Sequence, residues 1–130
     1  MLDSLTDSDR CPCLSGETYG NCCAPLHRGE SDAATAERLM RSRFSAFAVG
    51  DEAYLLRSWH ASTRPGTLEL DQDLRWYRLD ILSTSAGGLL DVDGTVEFRA
   101  FYRSADGRGD QHEVSRFLRE GRTWFYVDAL

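Results

Sequence analysis

Apolar residues recur with the spacing of an α-helix in one part of the chain and alternate with polar residues in later parts. Between residues 35 and 50, the apolar positions of "TAERLMRSRFSAFAVG" gather on one helical face. Thr35 is suited to cap the start of this helix, and Gly50 is suited to end it. A second, shorter helix is predicted to begin at Asp51 and to carry Tyr54, Leu55, Leu56 and Trp59.

From Leu74 onward the chain has the composition and the alternation of β-strands. The segment "RWYRLDILSTS" is rich in β-forming residues and is interrupted at residues 86–88. Asp93-Gly94 predicts a turn before the strand "TVEFRAFYRS". The last two strands are predicted at "QHEVSRFLRE" and "RTWFYVDA", joined by a tight turn at Glu120-Gly121. Two helices followed by consecutive antiparallel strands indicate an α+β domain, with the helices packed on one face of the sheet.

Arg43 lies near the centre of the apolar face of the first helix, beside Phe44. A guanidinium in that position must find an acidic or carbonyl partner, or else line a pocket. We expect it to be buried and held by a carboxylate from the sheet. The candidates, which one sequence does not rank, are Asp80, Glu97 and Asp128. Arg41, on the flank of the same helix, is expected to be solvated.

Trp59 and His60, at the end of the second helix, complete the candidate pocket. His60 is either a binding group or, as histidines at helix ends more often are, a partner of a helix carbonyl. An open cavity lined by Arg43, Trp59 and a carboxylate would favour a ligand or substrate. A filled core with Arg43 already paired would favour a protein-binding module instead.

All four cysteines lie in "CPCLSGETYGNCC", residues 11–23. Disulfides are disfavoured because no signal peptide precedes them, and a redox pair is disfavoured because the usual two-residue gap between the thiols is absent. Four thiolates instead suit a closed, structural zinc site, which leaves no position for a reactive water. The predicted ligands are Cys11, Cys13, Cys22 and Cys23. His27 is a reserve ligand, although a surface histidine is the more frequent role.

Composition and charge exclude several classes of function. The chain has 130 residues, which suits one domain, and its net charge of -6 argues against broad binding of nucleic acid. All fifteen basic residues are arginine, so lysine Schiff-base chemistry is excluded. No apolar run approaches the roughly 18 residues of a membrane span. The polar start "MLDSLTDSDR" does not resemble a signal peptide, so the expected compartment is the cytoplasm.

The cysteine cluster resembles the SEC-C motif, a short zinc-binding segment known from the bacterial preprotein translocase motor ATPase. The cysteine spacing, the Ser15-Gly16 turn and Tyr19 carry this resemblance. The chain departs from the motif in two places. Leu14 stands where glycine is usual, and Cys23 stands where the last ligand is often histidine.

The rest of the chain resembles the YchJ-like family, through "TAERLMRSRFSAFAVGDEAYLLRSWHASTRP", "VEF" and "HEVSRFLREGRTWFYVD". That family joins a SEC-C motif to a nuclear transport factor 2-like, or cystatin-like, domain. The resemblance implies a bacterial protein in which a curved antiparallel sheet wraps around helices to form an open cone. The predicted division is a flexible N-terminus at 1–10, a zinc knuckle at 11–29 and the cone domain at 30–130.

The resemblance implies no known reaction, so two functions from different classes stay open. The first is a non-enzymatic binding or adaptor protein whose knuckle docks a protein partner, because the motif in the translocase motor is a protein-interaction element. The second is a small-molecule carrier, or an acid-base enzyme of the isomerase or dehydratase kind, that uses the cone pocket. No pair of histidines or carboxylates is singled out by spacing, so we favour the binding module over an enzyme. Cone-shaped domains of this kind often dimerise through the sheet.

Overall fold

The computed structural model of the chain describes residues 5–130. Residues 1–4 of the predicted flexible segment lie outside the described residues. The helical elements come first along the chain and the strands follow, as the sequence predicts. They are a 3-10 turn at Tyr19–Asn21, α1 (Ala24–His27), α2 (Ala36–Val49), α3 (Glu52–Arg57), β1 (Arg75–Ala86), β2 (Asp93–Ser104), β3 (Gly107–Glu120) and β4 (Thr123–Ala129).

The ends of α2 and α3 follow from local hydrogen bonding. The Thr35 hydroxyl accepts from the backbone N–H of Arg38 at 3.1 Å, and Gly50 ends α2 in the left-handed region at φ 78°. The Asp51 carboxylate caps α3 by accepting from the backbone N–H of Tyr54 at 3.0 Å. The predicted caps and stop of both helices are therefore confirmed.

The four strands form one antiparallel sheet in the order β1-β2-β3-β4. Two register shifts interrupt the β1–β2 ladder, and such irregularities bend a strand and increase its twist. The predicted turn at Asp93-Gly94 is wrong, because both residues already belong to β2. Gly94 serves a close approach instead: a Cβ there would lie 2.5 Å from the backbone of Gly87. β3 begins at Gly107, four residues before the predicted start.

The apolar face of α2 packs against the inner face of the sheet. Phe44 of α2 and Phe117 and Trp124 of the sheet are each at most 2% exposed. Leu26 of α1 belongs to the same core, so the segment that follows the cysteines is packed against the body of the domain. Within residues 5–130, no helix has the length and apolar character needed to cross a membrane.

Candidate functional site

The four cysteine sulfurs lie close together beside α2. The Sγ atoms of Cys11, Cys13, Cys22 and Cys23 all lie within 4.8 Å of one another. Cys13 and Cys22 are 3.6 Å apart and Cys22 and Cys23 are 3.9 Å apart. Four sulfurs bound tetrahedrally at about 2.3 Å from a zinc ion lie roughly 3.8 Å from one another. The cluster therefore has approximately the dimensions of a tetrathiolate metal site.

Short-range hydrogen bonds fold the cysteine segment. The N–H of Cys11 donates to the Glu17 carbonyl at 3.0 Å. The N–H of Leu14 donates to the Cys11 carbonyl at 3.1 Å, which closes a turn over residues 11–14. Leu14 has φ 63°, a left-handed conformation that glycine adopts without strain and leucine does not. The Ser15 hydroxyl lies 3.1 Å from the Cys22 sulfur. Hydrogen bonding, chiefly from Cys11, lowers the pKa of Cys13.

Side chains of α2 donate hydrogen bonds to the knuckle. Arg38 donates to the sulfur of Cys23 at 3.5 Å, and Ser45 donates to the same sulfur at 3.3 Å. Arg41 donates to the Cys13 carbonyl at 3.1 Å and pairs with Glu37. The prediction that Arg41 is solvated is wrong, because the knuckle covers that flank of the helix. Two guanidinium groups thus lie beside a cluster that would carry net negative charge with four thiolates and a divalent ion.

His27 is neither the reserve ligand nor a surface residue. It is 9% exposed, and its ring lies between Tyr19 and α2. The Nε2 atom is 2.8 Å from the Ser42 carbonyl, which can only accept, so Nδ1 accepts from the Tyr19 hydroxyl at 2.7 Å. Burial lowers the pKa of His27. A neutral imidazole therefore joins the knuckle to the carbonyl face of α2.

The described part of the N-terminal segment is hydrogen-bonded to the knuckle. Asp7 forms an ion pair with Arg28 at 2.6 Å, and the Asp9 carbonyl accepts from the N–H of Tyr19 at 2.8 Å. Arg10 and Thr18 form an isolated antiparallel bridge. The hydrogen-bonded segment therefore extends at least four residues before Cys11, to residue 7.

Arg43 forms a second polar centre, on the opposite side of α2. It is 3% exposed, as the helical spacing predicts. Its Nη1 donates to the Leu55 carbonyl at 2.8 Å and to the Ser58 hydroxyl at 2.7 Å. The guanidinium carbon lies 5.3 Å from the ring centre of Trp59 and 4.6 Å from that of Tyr126. Burial lowers the pKa of Arg43 to about 10, so the group stays charged at neutral pH.

The predicted partners of Arg43 are wrong. Each of the three carboxylates has a partner on the outer face of the sheet. Asp80 forms an ion pair with Arg78 and Asp128 forms one with Arg116, and Glu97 accepts a hydrogen bond from His112 Nε2 at 2.6 Å. The reason is the alternation of side chains along a strand. Each of the three directly follows or precedes a buried residue of its own strand and so points the other way. Those buried neighbours are Leu79, Val96, Phe98 and Val127.

The carboxylate on the inner face is Glu113 of β3, which the sequence interpretation missed. Glu113 lies two residues before buried Ser115 and four before buried Phe117, and this two-residue spacing is the signal that could have identified it. It accepts from the Ser115 hydroxyl, from Gln111 Nε2 at 3.2 Å and from the Tyr126 hydroxyl at 3.5 Å. Its charge attracts that of Arg43.

A cavity of about 190 Å³ lies between α2 and the inner face of the sheet. Its polar lining includes Arg43 and Glu113, and Trp59 forms part of the wall. Phe44, Phe47 and Trp76 supply further aromatic surface. Of the two arrangements set out above, the structure has the open cavity lined by Arg43, Trp59 and a carboxylate.

His60 lies apart from this cavity. Its Nε2 pairs with the Glu120 carboxylate, and its Nδ1 lies 2.7 Å from the Ser62 hydroxyl. The expected bond to a helix carbonyl is absent among the described residues, because the β3–β4 turn brings a stronger acceptor within reach. His60 therefore ties the end of α3 to the sheet and is not a pocket residue.

Comparisons with known proteins match both parts of the chain. A family model described as "YchJ, middle NTF2-like domain" matches residues 35–129, and the SEC-C motif matches residues 8–25. A UPF0225 protein of Corynebacterium glutamicum is 53% identical over 90% of this chain and 93% of its own length. A UPF0225 protein of Streptomyces coelicolor is 50% identical, over 92% and 93%.

Two solved structures resemble the whole arrangement. The solution structure of a SEC-C motif containing protein from Rhodopseudomonas palustris has a TM-score of 0.80 at 31% identity, covering 92% of this chain and 96% of that one. The crystal structure of a SEC-C motif containing protein from Psychrobacter arcticus has a TM-score of 0.79 at 26% identity, covering 96% and 84%.

Proposed function

The chain belongs to the UPF0225 family, and we propose that it is a zinc-binding, non-enzymatic adaptor protein whose knuckle docks a protein partner. The observation that carries this proposal is the convergence of four cysteine sulfurs at distances that fit one tetrahedral ion. Four thiolate ligands select a soft or borderline metal, and zinc needs no redox partner. A reducing compartment such as the cytoplasm keeps such thiols available to the metal.

The site is structural in this proposal because it has no open coordination position. Cys11, Cys13 and Cys23 are each at most 1% exposed, and Arg38 and Ser45 donate to the sulfur of Cys23 from the protein side. Such outer contacts orient the ligands and offset their charge. The metal would stabilise a segment too short to form a core of its own.

The tip of the knuckle is the proposed docking surface. Leu14 is 53% exposed and adopts φ 63°, so the chain keeps a large apolar side chain in a strained position without burying it. Strain at an exposed residue is a sign of function when glycine would fit without it. The neighbouring residues 15–17 are exposed as well. The surface therefore suits a protein partner with an apolar pocket.

Elemental analysis tests the metal. Protein purified without chelators should carry about one zinc per chain, and a Cys22→Ser variant should carry less. Absence of metal from protein whose four thiols are reduced and intact would refute the proposal.

Affinity capture with matched leucine variants tests the docking surface. A partner retained by the wild-type chain should be lost with Leu14→Gly and kept with Leu90→Gly, because Leu90 is 94% exposed in a loop outside the knuckle. Equal retention by both variants would show that the tip of the knuckle does not bind the partner.

The cavity favours a second candidate, a small-molecule carrier. An acid-base enzyme is less well supported, because the described residues that line the cavity include one carboxylate, Glu113, and no histidine that could act as a second acid or base beside it.

A further inference from the structure

Arg43 keeps donors that the protein does not use. Only its Nη1 atom is hydrogen-bonded within residues 5–130; Nε and Nη2 have no partner there. Among the same residues, no fully buried polar side-chain atom lacks a partner. Because Arg43 lines the cavity, these remaining N–H groups reach its open space. A guanidinium with free donors in an apolar enclosure is a site for a planar anion such as a carboxylate.

The shape and the walls of the cavity indicate an aromatic ring. An apolar cavity of about 150 Å³ holds a benzene molecule. The cavity of about 190 Å³ therefore holds one six-membered ring with small substituents. Phe44, Phe47 and Trp76 already meet in edge-on and tilted contacts at 6.2–6.4 Å, which is the geometry in which further rings pack.

Glu113 supplies a second polar point in the same cavity. It is half-buried on β3, and its acceptor oxygens lie beside Gln111, Ser115 and Tyr126. A ligand that brought only a carboxylate would meet this negative charge without compensation. A ligand that also carries a hydrogen-bond donor, such as a hydroxyl group, complements both charged groups at once.

We propose that the cavity binds a small aromatic carboxylate, with its carboxylate on Arg43 and a hydroxyl or amino donor directed to Glu113. This inference goes beyond the proposed function of the knuckle and does not depend on the metal. It states binding only and involves no covalent step.

Three probe molecules test the two polar contacts separately by calorimetry on the metal-loaded full chain. They are 4-hydroxybenzoate, benzoate, which lacks the donor, and 4-hydroxybenzyl alcohol, which lacks the carboxylate. The first should bind about tenfold or more tightly than either of the others, which is what the loss of one hydrogen bond to a charged group typically removes. Equal affinities, or no binding at millimolar concentration, would overturn the proposal.

Variants assign the contacts. Arg43→Lys should weaken the binding of 4-hydroxybenzoate about tenfold and leave the affinity for 4-hydroxybenzyl alcohol unchanged. The reason is that lysine keeps the positive charge but lacks the planar pair of N–H donors that binds a carboxylate. Glu113→Gln should reduce the difference between 4-hydroxybenzoate and benzoate. The control is His112→Gln, on the outer face of the same strand, which should change neither. If the control weakened binding as much as Glu113→Gln did, the ligand would not occupy the cavity.

Indole resonances give a readout that does not depend on variants. The indole N–H signals of Trp59 and Trp76 should shift on adding 4-hydroxybenzoate, because both rings line the cavity. The signal of Trp124 should stay, because that residue lies in the core and its Nε1 donates to the Ala34 carbonyl. A shift confined to Trp124 would contradict the proposed site.

Discussion

Replacing Arg43 by methionine tests how a buried guanidinium is held when no carboxylate of residues 5–130 contacts it directly. Methionine keeps much of the length and removes the charge. The change removes two hydrogen bonds from a charged donor, to the Leu55 carbonyl and the Ser58 hydroxyl. Each such bond contributes about 1.5–3 kcal/mol, and the contacts with the rings of Trp59 and Tyr126 add about 1–2 kcal/mol.

The same replacement also removes an unfavourable contribution to stability, the burial of a charged group. Burial lowers the pKa of Arg43 from 12.5 to about 10, which corresponds to about 3 kcal/mol of unfavourable free energy for the charged form. Methionine does not bear that cost. Because Ser58 keeps its hydrogen bond to the Tyr54 carbonyl, the low end of those ranges applies, about 4 kcal/mol in all. This exceeds the cost by a small margin, so we expect the free energy of unfolding to fall by about 1–2 kcal/mol. A buried ion pair broken on one side would cost more, about 3–5 kcal/mol.

Urea denaturation of the metal-loaded protein, followed by circular dichroism, measures this loss. The control is Arg99→Met, which removes an ion pair with Asp110 that is about 40% exposed and should cost less than about 1 kcal/mol. A loss above about 4 kcal/mol would show that Glu113 depends on Arg43 as a paired charge. An unchanged or increased stability would refute the reasoning that the hydrogen bonds outweigh the burial of charge.

The knuckle gives four further predictions. Leu14→Gly should raise the free energy of unfolding by about 0.5–1 kcal/mol by relieving the left-handed strain, whereas Leu90→Gly should not, as chemical denaturation will show. Arg38→Met should weaken metal binding about tenfold or more in a chelator competition, because it removes a donor to the Cys23 sulfur. Burial lowers the pKa of His27 below 6.5, so the unfolded chain binds the proton before the folded chain does when the pH is lowered. The contribution of neutral His27 to the free energy of unfolding should therefore be complete above about pH 7 and decrease as the pH falls through 6.5. Denaturation of His27→Gln as a function of pH should lack this decrease. Cys22→Ser should speed hydrogen exchange in residues 11–23 and leave β1–β4 protected; loss of protection throughout the sheet would show that the cone does not fold without the metal.

Features set by neighbouring residues could be predicted from the sequence. Thr35 and Asp51 are caps because their side chains reach N–H groups three residues away, and this chemistry does not depend on the rest of the fold. The convergence of the four cysteines was predictable for a similar reason, because all of them lie within thirteen residues. The burial of Arg43 followed from helical spacing alone.

Pairings between distant residues could not be predicted in the same way. His60 meets Glu120 because a turn sixty residues away folds back beside α3, and Arg41 meets the Cys13 carbonyl because the knuckle lies on α2. The carboxylates are a different case. The two-residue alternation that turns Glu97 outward also turns Glu113 inward, so strand spacing could have separated them before any tertiary contact was known.

One helix connects the cysteine cluster to the cavity. Arg41 and Arg43 are two residues apart on α2, and about 100° of rotation per residue directs them to nearly opposite sides. Arg41 donates to the Cys13 carbonyl, whereas Arg43 lines the cavity. His27 covers the Ser42 carbonyl between them, so the knuckle satisfies polar groups on the outer side of the helix. A metal bound by the four cysteines would therefore also support the helix that positions Arg43, which gives a physical reason for a short cysteine motif and a cone to occur in one chain.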